Sequence, residues 1–487
     1  MPRIPLLLKY ILVLCCLPIA LSGCGLRELY QEKPDEGKNA ASAGKNAGSS
    51  ARPTATLKPT ATNTPVPTST LGVEVADLQG VSIVFWHAWT GAPGDVIQSL
   101  VDEFNRDNQW GISVEAVAQG SYDQVSEQVS AALENDQPPD VTTAYGYQAL
   151  GWISPGLSLI DLAPYVDDPV WGLDEQAQSD YYPIFWEHDL QNGERTGIPA
   201  QGSAQLLYYN NTWAKELGFE NPPATPEEFK AQACAANQTY KQDSDPKNDQ
   251  KGGWIISTEY SAVLGWIYSF GGEIERADGN GYRFNNAPVK DAFTYMRELY
   301  EGSCSWLSES QFPEDDFATR QGLFAAGSVA GILYQEEAFV EASSKDEWSV
   351  IAFPSLNGEP VISAYGPSFQ VLQSTPEEQL ASWLFIRWLT EAGPQAKLAE
   401  VSGYYPVRAS SVEMMGILPS VHPQWKSAVD LLPYARPEPA LGSWRIVRWA
   451  LSDAATQLFR FYFESDQLPA LIKLLEETSN DLHAGLK

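Results

Sequence analysis

An alternating α/β chain built on a mainly parallel sheet is the fold class the sequence predicts, and three observations predict it. From residue 81 onward, β-branched apolar runs alternate with stretches of helical amphipathic spacing. The composition, 44% hydrophobic and 19% charged, is ordinary for a globular chain and wrong for a multi-span membrane protein. The length of 487 residues allows two or three domains of about 100–200 residues, each able to bury a core.

Ahead of the folded part comes a leader. Arg3 and Lys9 precede Tyr10 to Leu21, an apolar run of twelve. A membrane-spanning helix needs roughly 20 apolar residues, so residues 1–23 read as a signal peptide. The run ends in Leu21-Ser22-Gly23-Cys24, which resembles the bacterial lipobox, where the signal is cut before the cysteine and that residue is acylated. The expectation is lipidation at Cys24 and a protein anchored by lipid to the outer face of the cell membrane. A plain secretory signal with an incidental cysteine is the alternative. Cys15 and Cys16 leave with the signal, so Cys234 and Cys304 remain. Two thiols in an oxidising compartment favour one disulfide, against two buried free cysteines.

Residues 24–77 show no apolar period. Lys, Asn, Ala, Gly and Ser come first, then alternating Thr and Pro from Pro53 to Thr68. Too little apolar surface is present to offset ordering entropy, so this segment reads as a tether. About 50 such residues would span roughly 40 Å as a random coil. Residues 1–72 carry eight basic and four acidic side chains, whereas the remainder holds 23 and 58 and accounts for a net charge of −35. The acidity belongs to the folded part. Such a surface repels nucleic acid, and no basic stretch offsets it.

Val81 to Trp86 is a short β-branched run, hence a buried strand. Gly91-Ala92-Pro93-Gly94 interrupts, and Val96, Leu100, Val101 and Phe104 then share one helical face. Ile112 to Val117 is a second strand, Gln124 to Leu133 a helix, and Asp140 to Tyr145 a third strand. Ligands in open parallel sheets bind beyond the carboxyl ends of the strands. That rim holds Trp86, His87 and Trp89, then Tyr122, then Tyr145 and Tyr147. Nearly all are aromatic. Further on, Ala204 to Asn210 is a strand, Thr225-Pro226-Glu227-Glu228 an N-capped helix start, and Val289–Leu299 and Pro376–Leu389 are amphipathic helices.

At this point the residues carry a family resemblance. Phe85-Trp86-His87-Ala88-Trp89-Thr90-Gly91 resembles the first-strand motif of extracellular solute-binding proteins of family 1, which serve carbohydrate and glycerol-phosphate ABC importers. Gly120-Ser121-Tyr122-Asp123, Pro139-Asp140-Val141, Leu207-Tyr208-Tyr209-Asn210, Gly366-Pro367-Ser368 and Ser402-Gly403-Tyr404-Tyr405-Pro406-Val407-Arg408 follow in that family's order, across roughly residues 80–460. The resemblance implies a type II periplasmic-binding-protein-like fold: two α/β lobes, each discontinuous, joined by hinge strands, with ligand held in the cleft. Hinge crossings are implied near Ser203, Tyr334 and Ser368. The lobes would then be residues 78–202 with 334–368, and 203–333 with 369–487.

Tyr122, Ser203, Gly366, Ser368, Tyr404 and Arg445 match ligand-contacting positions of the glycerol-3-phosphate-binding branch. Gly146 departs from that branch, where an acidic residue follows the third-strand tyrosine, and leaves room for a bulkier ligand. Arg445 could clamp an anionic or hydroxyl group through its planar fork, with a surface salt bridge as the alternative. A sugar ring has an apolar face and a rim of hydroxyls, so a flat aromatic buries the face while polar side chains satisfy the rim. Of 16 tryptophans, Trp86 and Trp89 at the strand end are the first candidates and Trp266 the next; Trp383 and Trp388 sit in a helical pattern and read as core.

Enzyme readings find little to stand on. The four histidines are scattered, and His-Glu-x-x-His, Gly-x-Ser-x-Gly and Walker motifs are missing from the sequence. Asp243 to Asp249 has the composition of a calcium loop without its spacing, and reads as a solvated turn. The expectation is a monomeric, lipid-tethered receptor with no cofactor or metal, which closes around a sugar or polyol and delivers it to an ABC permease. A secreted carbohydrate-active enzyme or an adhesin is the competing class. Glycerol 3-phosphate or a glycerophosphodiester is the competing ligand.

Overall fold

A computed structural model of the chain describes residues 67–152, 159–191, 193–310 and 313–486, all within the unit Pro65–Lys487. Cys24, the expected signal peptide and most of the expected tether lie outside the described residues.

The first lobe follows the predicted alternation. Strand β1 (Ser82–His87), helix α1 (Gly91–Asp107), strand β2 (Ser113–Ala118), helix α2 (Tyr122–Glu134) and strand β3 (Val141–Tyr145) succeed one another. β1 lies parallel to both β2 and β3. Helix α1 starts at Gly91 and takes in the expected glycine-proline interruption, because Pro93 falls in the first turn where its missing N–H is not needed. Its buried stripe is Ile97, Leu100, Val101 and Phe104. At the start of α2, Ser121 and Gln124 form a reciprocal capping box. Two later pieces complete this sheet, in the order β2, β1, β3, Pro367–Val371 and Ile198–Pro199.

The second lobe has its own sheet. Its path runs Ala435–Pro437, Ile362–Tyr365, Ser203–Asn210, Gly322–Ser328, Gly252–Ile255 and Ser305–Trp306, with Trp348–Ile351 also paired to Ser203–Asn210. Ser203–Asn210 is antiparallel to both its path neighbours, so the remaining path strands run one way. Their carboxyl ends therefore share an edge with Ser203. In the first sheet the carboxyl ends of β1, β2 and β3 share an edge with Pro367. The chain passes from one sheet to the other at 199–203 and at 365–367. Those passages bring the two carboxyl-end rims face to face.

The lobe boundaries differ from the expectation. Tyr334 lies in the helix Gly331–Glu341, which packs Ile332, Ala338 and Phe339 into the second lobe, so it is no hinge crossing. Residues 334–365 therefore belong to the second lobe. Pro367–Val371 joins the first sheet, and Pro376–Leu389 with Ala392–Ser402 covers it through Trp383, Phe385 and Leu398. Residues 334–365 and the start of the expected piece 369–487 thus exchange lobes. A third passage runs through 402–408, where Tyr405 pairs with Gly202. Parallel α/β patterning looks alike in both lobes, so it does not say to which sheet a segment returns.

Packing also begins before residue 78. Val73 and Leu78 sit in the first core, and the Asp168 carboxylate accepts hydrogen bonds from the Ser69 and Thr70 hydroxyls and the Thr70 amide. The packed part therefore begins by Ser69, ahead of the expected boundary at residue 78. Cys234 and Cys304 are disulfide-bonded with Cα atoms 4.3 Å apart, joining the helix Pro226–Lys241 to the strand Ser305–Trp306. Trp383 is fully buried and its indole donates to the Trp171 carbonyl.

Candidate functional site

Where the rims meet, the first lobe contributes rings. Trp89 leaves the end of β1, and its indole N–H donates to Gln201 Oε1 at 2.6 Å, in the first passage. Gln201 in turn donates to Ser402 Oγ in the third passage. The Trp89 edge meets Tyr122 at 6.5 Å between centroids, and Tyr122 meets Tyr145 at 5.1 Å. Tyr145 stacks on Tyr147 with planes 4° apart. Tyr404 enters from the third passage and Tyr365 from the second. Burial pushes the phenols of Tyr122, Tyr145, Tyr147, Tyr365 and Tyr404 above their usual range, so all stay neutral.

The opposite rim brings charge. Glu259 caps the helix Tyr260–Ser269, its carboxylate accepting from the Ser261 amide at 2.9 Å. Glu438 follows the strand Ala435–Pro437 and is 3% exposed. Its Oε2 accepts from the Trp444 indole at 3.2 Å, and its Oε1 has no hydrogen-bond partner. Burial, with the neighbouring Glu259, raises Glu438 to about 8. Arg448 lies on the buried stripe of the helix Trp444–Leu458. It reaches the first lobe, donating to the Tyr147 hydroxyl and, at 3.1 Å, to Asp123. Its guanidinium also lies within 5.4 Å of the Tyr147, Tyr260 and Trp449 ring centres. Burial opposes its charge, and the groups around it, Tyr147, Tyr260, Asp123 and Glu438, outweigh that. Arg448 thus bridges the two lobes.

Of the expected site residues, the geometry gathers Trp89, Tyr122, Tyr145 and Tyr404 with Ser203 and Gly366 of the passages. A Cβ at Gly366 would stand 2.2 Å from the Gln201 carbonyl oxygen, so the neighbouring passages demand glycine there. Five others are placed differently. Strand alternation turns Trp86 to the opposite face, onto the Val125, Val129 and Trp152 cluster beneath α2. His87 is 4% exposed beside Phe85 and Trp89, and burial lowers it to about 4, so it is a neutral core ring. Trp266 is wholly buried among Phe229, Trp254, Tyr295 and Phe353. The Ser368 hydroxyl is spent on the buried Asp189 carboxylate. Arg445 is exposed on the first turn of its helix, beside Gly151.

Gly146 has a structural reason. A Cβ there would come within 2.9 Å of the His188 ring, which stands beside Asp189. The acid missing at 146 is thus matched by a carboxylate at 189, itself buried and bonded to Ser368. Glu259, Tyr260, Tyr365, Glu438 and Arg448 escaped the sequence reading. Arg448 had a signal: Trp444, Val447, Leu451 and Ala455 recur at helical spacing, and 448 falls on that stripe while 445 does not. Among the described residues, no group of three or more His, Cys, Asp or Glu side chains could hold a metal ion.

A family profile described as bacterial extracellular solute-binding protein matches residues 99–433. The chain belongs to that family. It is 24% identical over 364 residues to the sn-glycerol-3-phosphate-binding periplasmic protein UgpB of Rhizobium meliloti (strain 1021), covering 68% of this chain and 76% of that one. The cyclic alpha-maltosyl-1,6-maltose binding protein of Arthrobacter globiformis superposes with a TM-score of 0.69 at 19% identity, over 83% of this chain and 99% of that one. UgpB of Mycobacterium tuberculosis, solved with glycerophosphocholine, gives a TM-score of 0.64 at 18% identity, over 82% and 98%. At such identities the superpositions speak for the fold, the two-lobed architecture of solute-binding proteins. These relatives are binding proteins rather than enzymes.

Proposed function

We propose that this solute-binding protein captures a sugar or related polyol between its lobes and delivers it to the permease of an ABC importer. The observation that carries this reading is the pairing of rims: neutral rings on one side, Glu259, Glu438 and Arg448 on the other. Rings suit the C–H face of a sugar, and carboxylates and a guanidinium suit its hydroxyl rim. A ligand touching both rims favours the shut form, which a permease can distinguish from the open one. Leu21-Ser22-Gly23-Cys24 supports acylation at Cys24, so the protein works as a lipid-tethered monomer on the extracytoplasmic face.

The names of the relatives favour a second ligand, a glycerol phosphate. Against it, Arg448 is already engaged by Asp123 and Tyr147. Thermal unfolding against a panel of sugars and glycerol phosphates tests the reading. A sugar should raise the midpoint by mass action and be recovered unaltered. Chemical turnover of the sugar, or a rise with glycerol 3-phosphate alone, would reject it.

A further inference from the structure

Away from the cleft, the turn between the helices Trp444–Leu458 and Leu468–Ala484 carries Phe459-Arg460-Phe461-Tyr462-Phe463. Its outer rings, Phe459 and Phe463, are buried in the core of the second lobe. The middle two face water. Phe461 is 86% exposed, the most of any large apolar side chain among the described residues, and Tyr462 beside it is 62% exposed. Their rings meet edge to face with centroids 5.2 Å apart. Single apolar side chains on a surface are ordinary. A pair held out by a buried clamp is not. The clamp is Arg297, which lies buried beneath the turn. Its guanidinium donates to the carbonyls of Leu458 at 2.7 Å, Arg460 at 3.1 Å and Phe463 at 2.5 Å, and its Nε donates to Glu301 at 2.9 Å. A buried cation that spends its donors on the backbone of one turn fixes the shape of that turn and holds the two rings outward.

We propose that Phe461 and Tyr462 are a membrane contact: this turn seats in the headgroup layer of the bilayer that carries the anchor at Cys24, and so sets how the second lobe faces the membrane. The proposal rests on the lipid-tether reading above and goes beyond it. Chain length allows the contact. Between Cys24 and residue 67 lie about 40 residues, which reach up to roughly 130 Å when extended. A folded unit the size of Pro65–Lys487 has a radius of gyration of about 22 Å, so every face of it lies within that reach. Tethering holds the bilayer at about millimolar effective concentration, where a weak contact is occupied. A phenylalanine and a tyrosine suit that layer, because the rings enter it while the phenol stays with the headgroups. A second copy of the chain fits worse. Two rings bury at most about 500 Å², below the roughly 800 Å² per partner of a standard interface. Residues beyond 72 also carry a net charge of −35, which sets copies against each other. That charge, with Glu464 and Asp466 beside the turn, favours zwitterionic over anionic lipid.

Arg460→Cys places an environment-sensitive dye beside the pair, since the Arg460 side chain is exposed and the bond from Arg297 goes to its carbonyl. Cys234 and Cys304 are bonded to each other, so neither takes the label. In the acylated full chain on phosphatidylcholine vesicles, emission should rise about threefold and be quenched by doxyl-labelled lipid. Phe461→Ser with Tyr462→Ser should abolish both effects while the melting point holds, because neither ring is buried. The same dye at Val421→Cys, an exposed apolar position at the end of another helix, should report no lipid. An equal response there would mean mere nearness of the surface and overturn the contact. A silent dye at 460, or a response that the serines leave intact, overturns it too. So does a response without vesicles that grows with protein concentration, which would mean a second copy. Failure of the anchor is read separately, because the mass of the processed chain shows whether Cys24 is acylated. In a chain without acylation, vesicle binding at lipid excess replaces the first readout: its loss in the double-serine variant upholds the contact, and equal binding by both overturns it.

Discussion

The two rims of the cleft are built on the same principle and carry opposite chemistry. Each gathers the carboxyl ends of parallel strands, yet the first lobe presents Trp89, Tyr122, Tyr145 and Tyr147, and the second presents Glu259, Glu438 and Arg448. Trp89 is anchored in its own core, 6% exposed and touching Phe85 and Phe369, whereas Tyr145 and Tyr147 pack against the core of the second lobe. Glu259 and Glu438 are held within their own lobe by Ser261 and Trp444, and Arg448 is anchored across the cleft on Asp123 and Tyr147. The Trp89 end of the first rim is a fixed floor, whereas Arg448 on the second is engaged only when the lobes meet. Damage to the first should read out as stability, and damage to the second as affinity and closure.

Trp89→Ala should break the comparison from the floor side. Truncating a buried tryptophan costs about 3–5 kcal/mol. The loss of its bond to Gln201 also loosens the passage that carries Ser402. A drop in the urea midpoint should accompany any loss of binding. A variant as stable as the parent but unable to bind would instead make Trp89 a ligand contact first.

Arg448→Met sharpens it from the other side. A methionine keeps the apolar stem, and the Asp123 carboxylate it leaves behind is exposed to water, so the melting point should fall only modestly. Affinity for the bound sugar should fall about a hundredfold, or roughly 2.7 kcal/mol, in the range of interface hot spots. Small-angle scattering should show a larger radius of gyration with ligand than the parent shows. Unchanged compaction would mean that closure does not run through Arg448.

Glu438 gives the comparison a pH axis. Burial raises its carboxyl to about 8, while an unfolded chain would release that proton near the ordinary value of about 4.3. Between those values the native form binds more protons than the unfolded one, so stability from this group falls as pH rises. Glu259, His188 and Arg448 face the same carboxyl, and the two cations temper the slope. Replacing the acid by glutamine should flatten the dependence of the melting point between about pH 5 and 8. A slope that survives in Glu438→Gln would assign the effect to Glu259 and His188, both of which are raised.

The legible part of this molecule is local. Strand alternation, the α1 stripe and the rings at the ends of β1 and β3 can be read from Val81 to Tyr147, because period and aromatic placement are short-range signals. Long-range return was not legible. Nothing in Ile362–Tyr365 or Pro367–Val371 says that one joins the second sheet and the other the first. Trp266 shows the limit of residue type as a signal: an indole suits a sugar face and a core equally well, and here Phe229, Trp254 and Phe353 enclose it. Glu438 was invisible for a different reason. Its significance lies in being buried without a partner, which only packing creates.

The smallest expected effect separates two arginines one helical turn apart. Arg445 and Arg448 share the helix Trp444–Leu458, but the buried stripe of that helix passes through 444, 447, 448 and 451. Arg445 falls about 100° off Trp444, on the exposed side, whereas Arg448 completes the turn and lands on the stripe. Arg445→Ala should therefore change stability by less than about 0.5 kcal/mol, as exposed substitutions do. Sugar affinity should match the parent within twofold. A tenfold loss in Arg445→Ala would show that the ligand reaches past Arg448 to the outer lip near Gly151, and the charged rim would have to be redrawn one turn outward.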